Sequence, residues 1–213
     1  MINTYIGIDY SQNKPASCIF QDGKIKFISW PYDLSKKTLP LFKNAGIEIV
    51  PQLLYKNKYK DASALMRSEI ANANYQTMLI VDSLKPYLNK NTFISFEGSA
   101  YSGAGNSILQ LTAWRYILML KLSEIIGLDK IYTYSPLTLK SVAGCSKKDS
   151  NTKGDMIESF ILNSEDNSLK NKLIDDRSLF RKKGDHTWID HLDDLCDAYF
   201  AMKTLIVKEN LKF

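Results

Sequence analysis

Three stretches of the chain place acids where acids do chemistry. Tyr5-Ile6-Gly7-Ile8-Asp9-Tyr10 reads as an apolar strand that closes on Asp9, and Thr92-Phe93-Ile94-Ser95-Phe96-Glu97 as another that closes on Glu97. A carboxylate beside buried Ile side chains needs a metal, a cation or a cluster of hydrogen-bond donors, because desolvating the charged form is costly. An Asp that merely caps a turn is the plain alternative. The third stretch is Asp190-His191-Leu192-Asp193-Asp194-Leu195-Cys196-Asp197, read as part of the last helix. At ~100° per residue, Asp190, Asp193, Asp194 and Asp197 fall within an arc of about 100°. Leu192, Leu195, Tyr199, Met202 and Ile206 take the opposite side. A solvated acidic face is the plain alternative here, but like charges on adjacent turns repel. A divalent cation removes that penalty. Several carboxylates with no His–Cys pattern select Mg²⁺, or Mn²⁺ in its place. Two such ions ~4 Å apart clamp the attacking and leaving oxygens of an in-line phosphoryl displacement.

The elements that must bring these acids together are legible in outline. Ala16–Phe20 and Lys24–Trp30 read as strands joined by the turn Gln21-Asp22-Gly23. Lys130–Tyr134 is a fifth strand, stopped by Ser135-Pro136. Helical patterns run over residues 63–88, 108–126, 137–143 and 155–162, and the last helix from near Trp188 to about Asn210. Residues 31–60 read as a long loop or small inserted lobe, and 163–185 as a charged, mobile segment. This order makes an α/β chain with a five-stranded mixed sheet flanked by helices. If the strands ending in Asp9 and Glu97 are parallel neighbours, their acids lie side by side. A final helix laid across that edge then adds two more.

A chain of 213 residues is one domain's length and can bury a proper core. No run is long and apolar enough to span a membrane, so no membrane partner is expected. Three cysteines in no CxxC spacing argue against a disulfide framework or zinc ribbon and point to a reducing, intracellular location. The net charge of +5 becomes informative where Lys and Arg gather. Such clusters are Lys56, Lys58 and Lys60 with Tyr55 and Tyr59, and Arg177, Arg181, Lys182 and Lys183. Arg115, inside an apolar helix, reaches either a phosphate or an acid. Gly103-Ala104-Gly105 lacks the Lys-Ser/Thr of a P-loop. His186 and His191 lack thiolates at zinc spacing, and Asp190, Asp193 or His191 could replace a ligand if the helix is rotated.

The pieces Ile6-Gly7-Ile8-Asp9, Phe96-Glu97-Gly98, Lys140 with Gly144 and Lys153, and Asp194-Leu195-Cys196-Asp197-Ala198 together resemble the RuvC-type Holliday junction resolvases. Their order and approximate spacing match over nearly the whole chain. The resemblance implies an RNase H-like fold and a structure-selective endodeoxyribonuclease. Such an enzyme resolves four-way or other branched DNA by hydrolysis with two Mg²⁺ ions per site, as a homodimer. It implies Asp9, Glu97, Asp194 and Asp197 as catalytic acids and metal ligands, and Lys140 and Lys153 as the basic residues near the scissile phosphate. Tyr101 is the nearest match to an aromatic inserted at the junction centre. Lys147 and Lys148, in a stretch longer than the family pattern, join Tyr101, Lys140, Lys153 and Arg115 as expected DNA contacts. The resemblance places the protein in the cytoplasm or nucleoid, and Lys- and Asn-rich usage extends this to a phage- or virus-infected cell or an organelle matrix. Rival readings are a flap, hybrid or terminase nuclease of the same superfamily, an actin-like or sugar-kinase ATPase, and a non-catalytic DNA-binding protein.

Overall fold

Alternation along the first strand decides which helix covers which face. In β1 (Thr4–Asp9), Ile6 and Ile8 join one buried cluster while Tyr5 joins the other. The structure, a computed structural model, describes residues 3–54, 61–98, 106–145, 153–182 and 187–211, without the side chains of 106, 107 and 153. β2 (Ala16–Gln21) and β3 (Lys24–Ser29) follow as an antiparallel hairpin. Asp22 and Gly23 both take positive φ, 53° and 71°, at its turn. That is the backbone of the two-residue turn that matches strand twist, and Asp-Gly is well suited to it.

Within the 31–60 region, the described residues 31–54 carry regular structure despite their Pro- and Lys-rich composition. They contain α1 (Thr38–Asn44) and β4 (Glu48–Ile49), which pairs parallel with β3 and adds a sixth strand at the sheet edge. Next come α2 (Ala62–Leu84), with Asp61 Oδ1 capping Ala64 N at 2.7 Å, and β5 (Thr92–Glu97). α3 (Asn106–Ile126), β6 (Ile131–Tyr134), α4 (Pro136–Ala143) and α5 (Lys153–Asn163) continue the chain.

Residues 163–185, expected to be mobile, hold α6 (Ser168–Asp175) and a 3₁₀ turn over Arg177–Phe180. Asp166 Oδ2 accepts from Leu169 N and Lys170 N, which caps α6, and Leu169, Leu173 and Phe180 are buried. The last helix, α7 (Leu192–Lys208), starts four residues later than expected. His191 just before it has φ 74°, a left-handed value that ends the helical run there. Among the described residues, no helix is long and apolar enough to cross a membrane.

The sheet order is β4-β3-β2-β1-β5-β6, with β5 and β6 parallel to β1 and β2 antiparallel to it. α2 and α3 cover one face through Ile80, Leu84, Leu118 and Leu122, packed on Ile6, Ile8, Ile94 and Phe96. α7 covers the other with Leu195, Tyr199 and Met202, supported by α4, α5 and α6.

Candidate metal centre

Strand register brings the first two acids together. β1 and β5 run parallel with Ile8 level with Phe96, so the next residue on each, Asp9 and Glu97, ends its strand at the same edge. Both share parity with the α7-facing residues: Tyr5 and Gly7 on β1, Phe93 and Ser95 on β5. Asp197, from the second turn of α7, completes the group. One carboxylate oxygen from each of Asp9, Glu97 and Asp197 lies within 4.8 Å of the other two, and all three residues are half-buried. Oxygens bound to one ion at ~2.1–2.4 Å lie no more than roughly 4–5 Å apart, so the spacing fits a shared divalent cation.

Electrostatics point the same way. Burial pushes the Asp9 carboxyl well above the usual carboxylate range, and the charges of Asp194, Asp197 and Glu97 push it further. Asp194 also hydrogen-bonds to Asp9 and so adjoins the three, though it is not one of the carboxylates that meet within 4.8 Å. A cation among these carboxylates would favour their ionised forms and reverse this shift.

The other acids of the expected arc part company. Asp190 lies outside α7, exposed, and pairs with Lys182 at 3.0 Å. Asp193 and Asp194 both line a groove of 1010 Å³ with Lys14, Asp155, Glu158 and Lys182. The early helical arc therefore holds for Asp193, Asp194 and Asp197 but not for Asp190.

What holds α7 against the sheet is a close backbone approach. A Cβ on Gly7 would sit 2.1 Å from the Ala198 carbonyl oxygen and 2.3 Å from Met202 N. Only glycine lets the helix come that near. Ser95 Oγ donates to the Ala201 carbonyl at 2.8 Å and ties the same turn to β5. Ser95 escapes sequence reading because a buried Ser in a strand carries no signal of its partner.

Arg115, expected at a phosphate or an acid, reaches the main chain of the residue that carries one of the acids. It is buried, and its Nη1 donates to the main-chain carbonyl of Glu97 at 2.8 Å. It supports the strand end that carries the acid. The loop after Asp9 is fixed by a set of buried amides that the sequence did not single out. Tyr10 Oη donates to Gln76 Oε1 at 2.6 Å, and Gln76 Nε2 donates to the Gln12 carbonyl at 2.7 Å and to Gln52 Oε1 at 2.8 Å. A Gln on the apolar face of α2 was the available hint.

Lys140 sits half-buried in the last turn of α4, and Lys153 opens α5, whose next residue, Gly154, lines the groove. Tyr101, Lys147, Lys148, Lys183, His186, residues 103–105 and the cluster at 55–60 lie outside the described residues.

No protein-family model matches the chain, and no curated protein matches it. Among solved structures, Thermus thermophilus RuvC superposes with a TM-score of 0.50 at 10% sequence identity, over 100% of this chain and 99% of that one. The fold is RuvC-like. A second structure, T. thermophilus RuvC in complex with a Holliday junction substrate, gives a TM-score of 0.48 at 9% identity, over 99% and 98% of the two chains. The RuvC-like, RNase H-like architecture accounts for the strand order β3-β2-β1-β5-β6, with β4 as an added edge strand. Its helices flank the mixed sheet as the sequence implied.

Proposed function

We propose that the protein is a metal-dependent endonuclease that cuts branched DNA, four-way junctions first, as a homodimer. One observation carries this reading: Asp9, Glu97 and Asp197, from the start, middle and end of the chain, converge within 4.8 Å on a RuvC-like fold. Asp194, hydrogen-bonded to Asp9, is the fourth acid. Bound there, Mg²⁺ ions supply Lewis-acid polarisation of the scissile phosphate and lower the pKa of the attacking water. Asp9 and Glu97, on rigid strand ends, set the position of the reacting phosphate. Asp194 and Asp197 close the cluster from α7. Lys140 and Lys153 are assigned to the phosphate near the cut, and Tyr101, Lys147 and Lys148 to the flanking DNA.

The groove beside the cluster supports the need for cations. Its lining carries Asp155, Glu158, Asp190, Asp193 and Asp194 against Lys14, Arg181 and Lys182. Five carboxylates against three cationic groups would repel a phosphodiester strand unless divalent ions intervene. A two-fold substrate cleaved on two strands matches a two-fold enzyme.

The test is cleavage of a labelled immobile four-way junction beside flap, RNA–DNA hybrid and linear duplex substrates, with Mg²⁺, Mn²⁺ or EDTA. Paired nicks leaving 5′-phosphate and 3′-hydroxyl ends on the junction, abolished by EDTA, are expected. Preference for the flap or hybrid would move the protein to another RNase H-like nuclease class. No cleavage of any substrate would remove the nuclease reading.

A further inference from the structure

His191 stands at the edge of the acidic cluster and has no use in the four-acid scheme. It is 4% exposed, and its ring is fixed from one side, Nε2 lying 3.2 Å from the main-chain carbonyl of Asp33. A carbonyl oxygen only accepts, so Nε2 carries the proton. In the neutral ring, Nδ1 then presents a bare lone pair.

That Nδ1 is buried and has no hydrogen-bond partner among the described residues. What it faces is Asp194 Oδ2, at 3.9 Å. A histidine that served only to fill space would have its second nitrogen satisfied or exposed. A buried ring nitrogen left without a partner and set beside a carboxylate instead defines a position for something electropositive. Asp194 is itself bonded to Asp9, so this position adjoins the oxygen cluster.

We propose that His191 Nδ1 is a nitrogen donor to a divalent cation shared with Asp194. The inference rests on the metal-site reading of Asp9, Glu97 and Asp197 and adds a ligand of a different kind. The Asp33 carbonyl then acts as the outer partner that sets the ring's tautomer and orientation, as is usual for a metal-bound histidine. Mg²⁺ binds hard oxygen donors in a near-ideal octahedron, whereas imidazole suits transition metals. His191 therefore tilts this one position toward Mn²⁺-type ions.

Pulsed electron paramagnetic resonance on the full chain loaded with Mn²⁺, without DNA, tests this. Directly bound nitrogen gives a ¹⁴N modulation that changes to the ¹⁵N pattern when histidine alone is ¹⁵N-labelled. The chain has two histidines, His186 and His191. His186→Gln should keep the signal, and His191→Gln should remove it. The Gln amide can still donate to the Asp33 carbonyl. Mn²⁺ affinity at this position should fall by roughly 10–100-fold in His191→Gln. Mn²⁺ that binds, and is lost in Asp9→Asn, yet shows no nitrogen modulation would overturn the His191 ligand while leaving the oxygen site standing. Modulation that survives His191→Gln would overturn it equally. Failure of Mn²⁺ to bind at all would remove the oxygen site and the His191 ligand together. The isotope measurement on the unmutated chain decides the matter even if His191→Gln does not fold.

Discussion

Gly7 on β1 and Ala198 on α7 approach so closely that a single added methyl group would lie 2.1 Å from the Ala198 carbonyl oxygen. Helix and strand are thereby locked at one separation, and that separation sets how far Asp194 and Asp197 stand from Asp9. Gly7→Ala should push α7 outward and destabilise the chain by about 1–3 kcal/mol or more. At ~2–4 °C per kcal/mol for a chain of this size, the melting temperature falls measurably. Thermal denaturation with and without Mg²⁺ checks this, because the Mg²⁺-induced rise should vanish together with the native spacing. An unchanged Tm would contradict the close approach.

Asp9→Asn removes one of four crowded charges at a place where charge is disfavoured. Cleavage should fall by on the order of 10³-fold or more, as when a central catalytic group is lost. Junction affinity in the absence of divalent ions should be kept. The metal-free variant should also melt no lower than the parent, because the substitution relieves repulsion. Activity, junction binding and melting on the same preparation separate a catalytic loss from unfolding.

The raised Asp9 pKa gives stability a pH dependence of definite sign. In the folded chain Asp9 binds its proton more tightly than in the unfolded chain, so the native state holds more protons between the two pKa values. Stability must therefore fall as pH rises through that window. The contribution is full below the unfolded value of ~4 and is lost as pH climbs toward the folded value. Mg²⁺ favours the ionised form, so its stabilising effect should grow with pH over the same range. Melting curves in EDTA and in Mg²⁺ across pH, for the parent and for Asp9→Asn, read this directly. A slope that Asp9→Asn leaves untouched would assign the effect to other groups.

Arg115 holds the main-chain carbonyl of Glu97 and so fixes the strand end from which that carboxylate projects. Arg115→Met should destabilise the chain by about 1.5–3 kcal/mol, the scale of a lost charged hydrogen bond in a buried setting. Cleavage should drop through kcat, because Glu97 loses its support. Arg115→Lys, which keeps a donor but not the planar fork, should recover part of both. A change confined to DNA affinity would instead make Arg115 a phosphate contact.

Much of this site was legible because its parts obey local rules. Apolar strands ending in Asp9 and Glu97 stand out, and the two-residue period of Tyr5-Ile6-Gly7-Ile8 puts Asp9 on the same face as Gly7. The Asp194–Asp197 spacing is one helical turn. Other features depend on contacts that no pattern of residue types reveals. The left-handed φ of His191 starts α7 late and drops Asp190 from the arc. Arg115 finds a main-chain carbonyl, which looks the same beneath every sequence. β4 is two residues long, too short to show a period, and is recruited by its neighbour β3. In 163–185, Leu169 and Leu173 are four apart and do mark a buried helical face, but the Lys and Asp residues around them hide it.

Anomalous diffraction from crystals grown with Mn²⁺ is the most direct measurement of whether distant carboxylates share a cation. The expected result is a strong peak within ligand distance, ~2.1–2.4 Å, of oxygens from Asp9, Glu97 and Asp197 together. Manganese density elsewhere, with those three side chains turned apart, would contradict it.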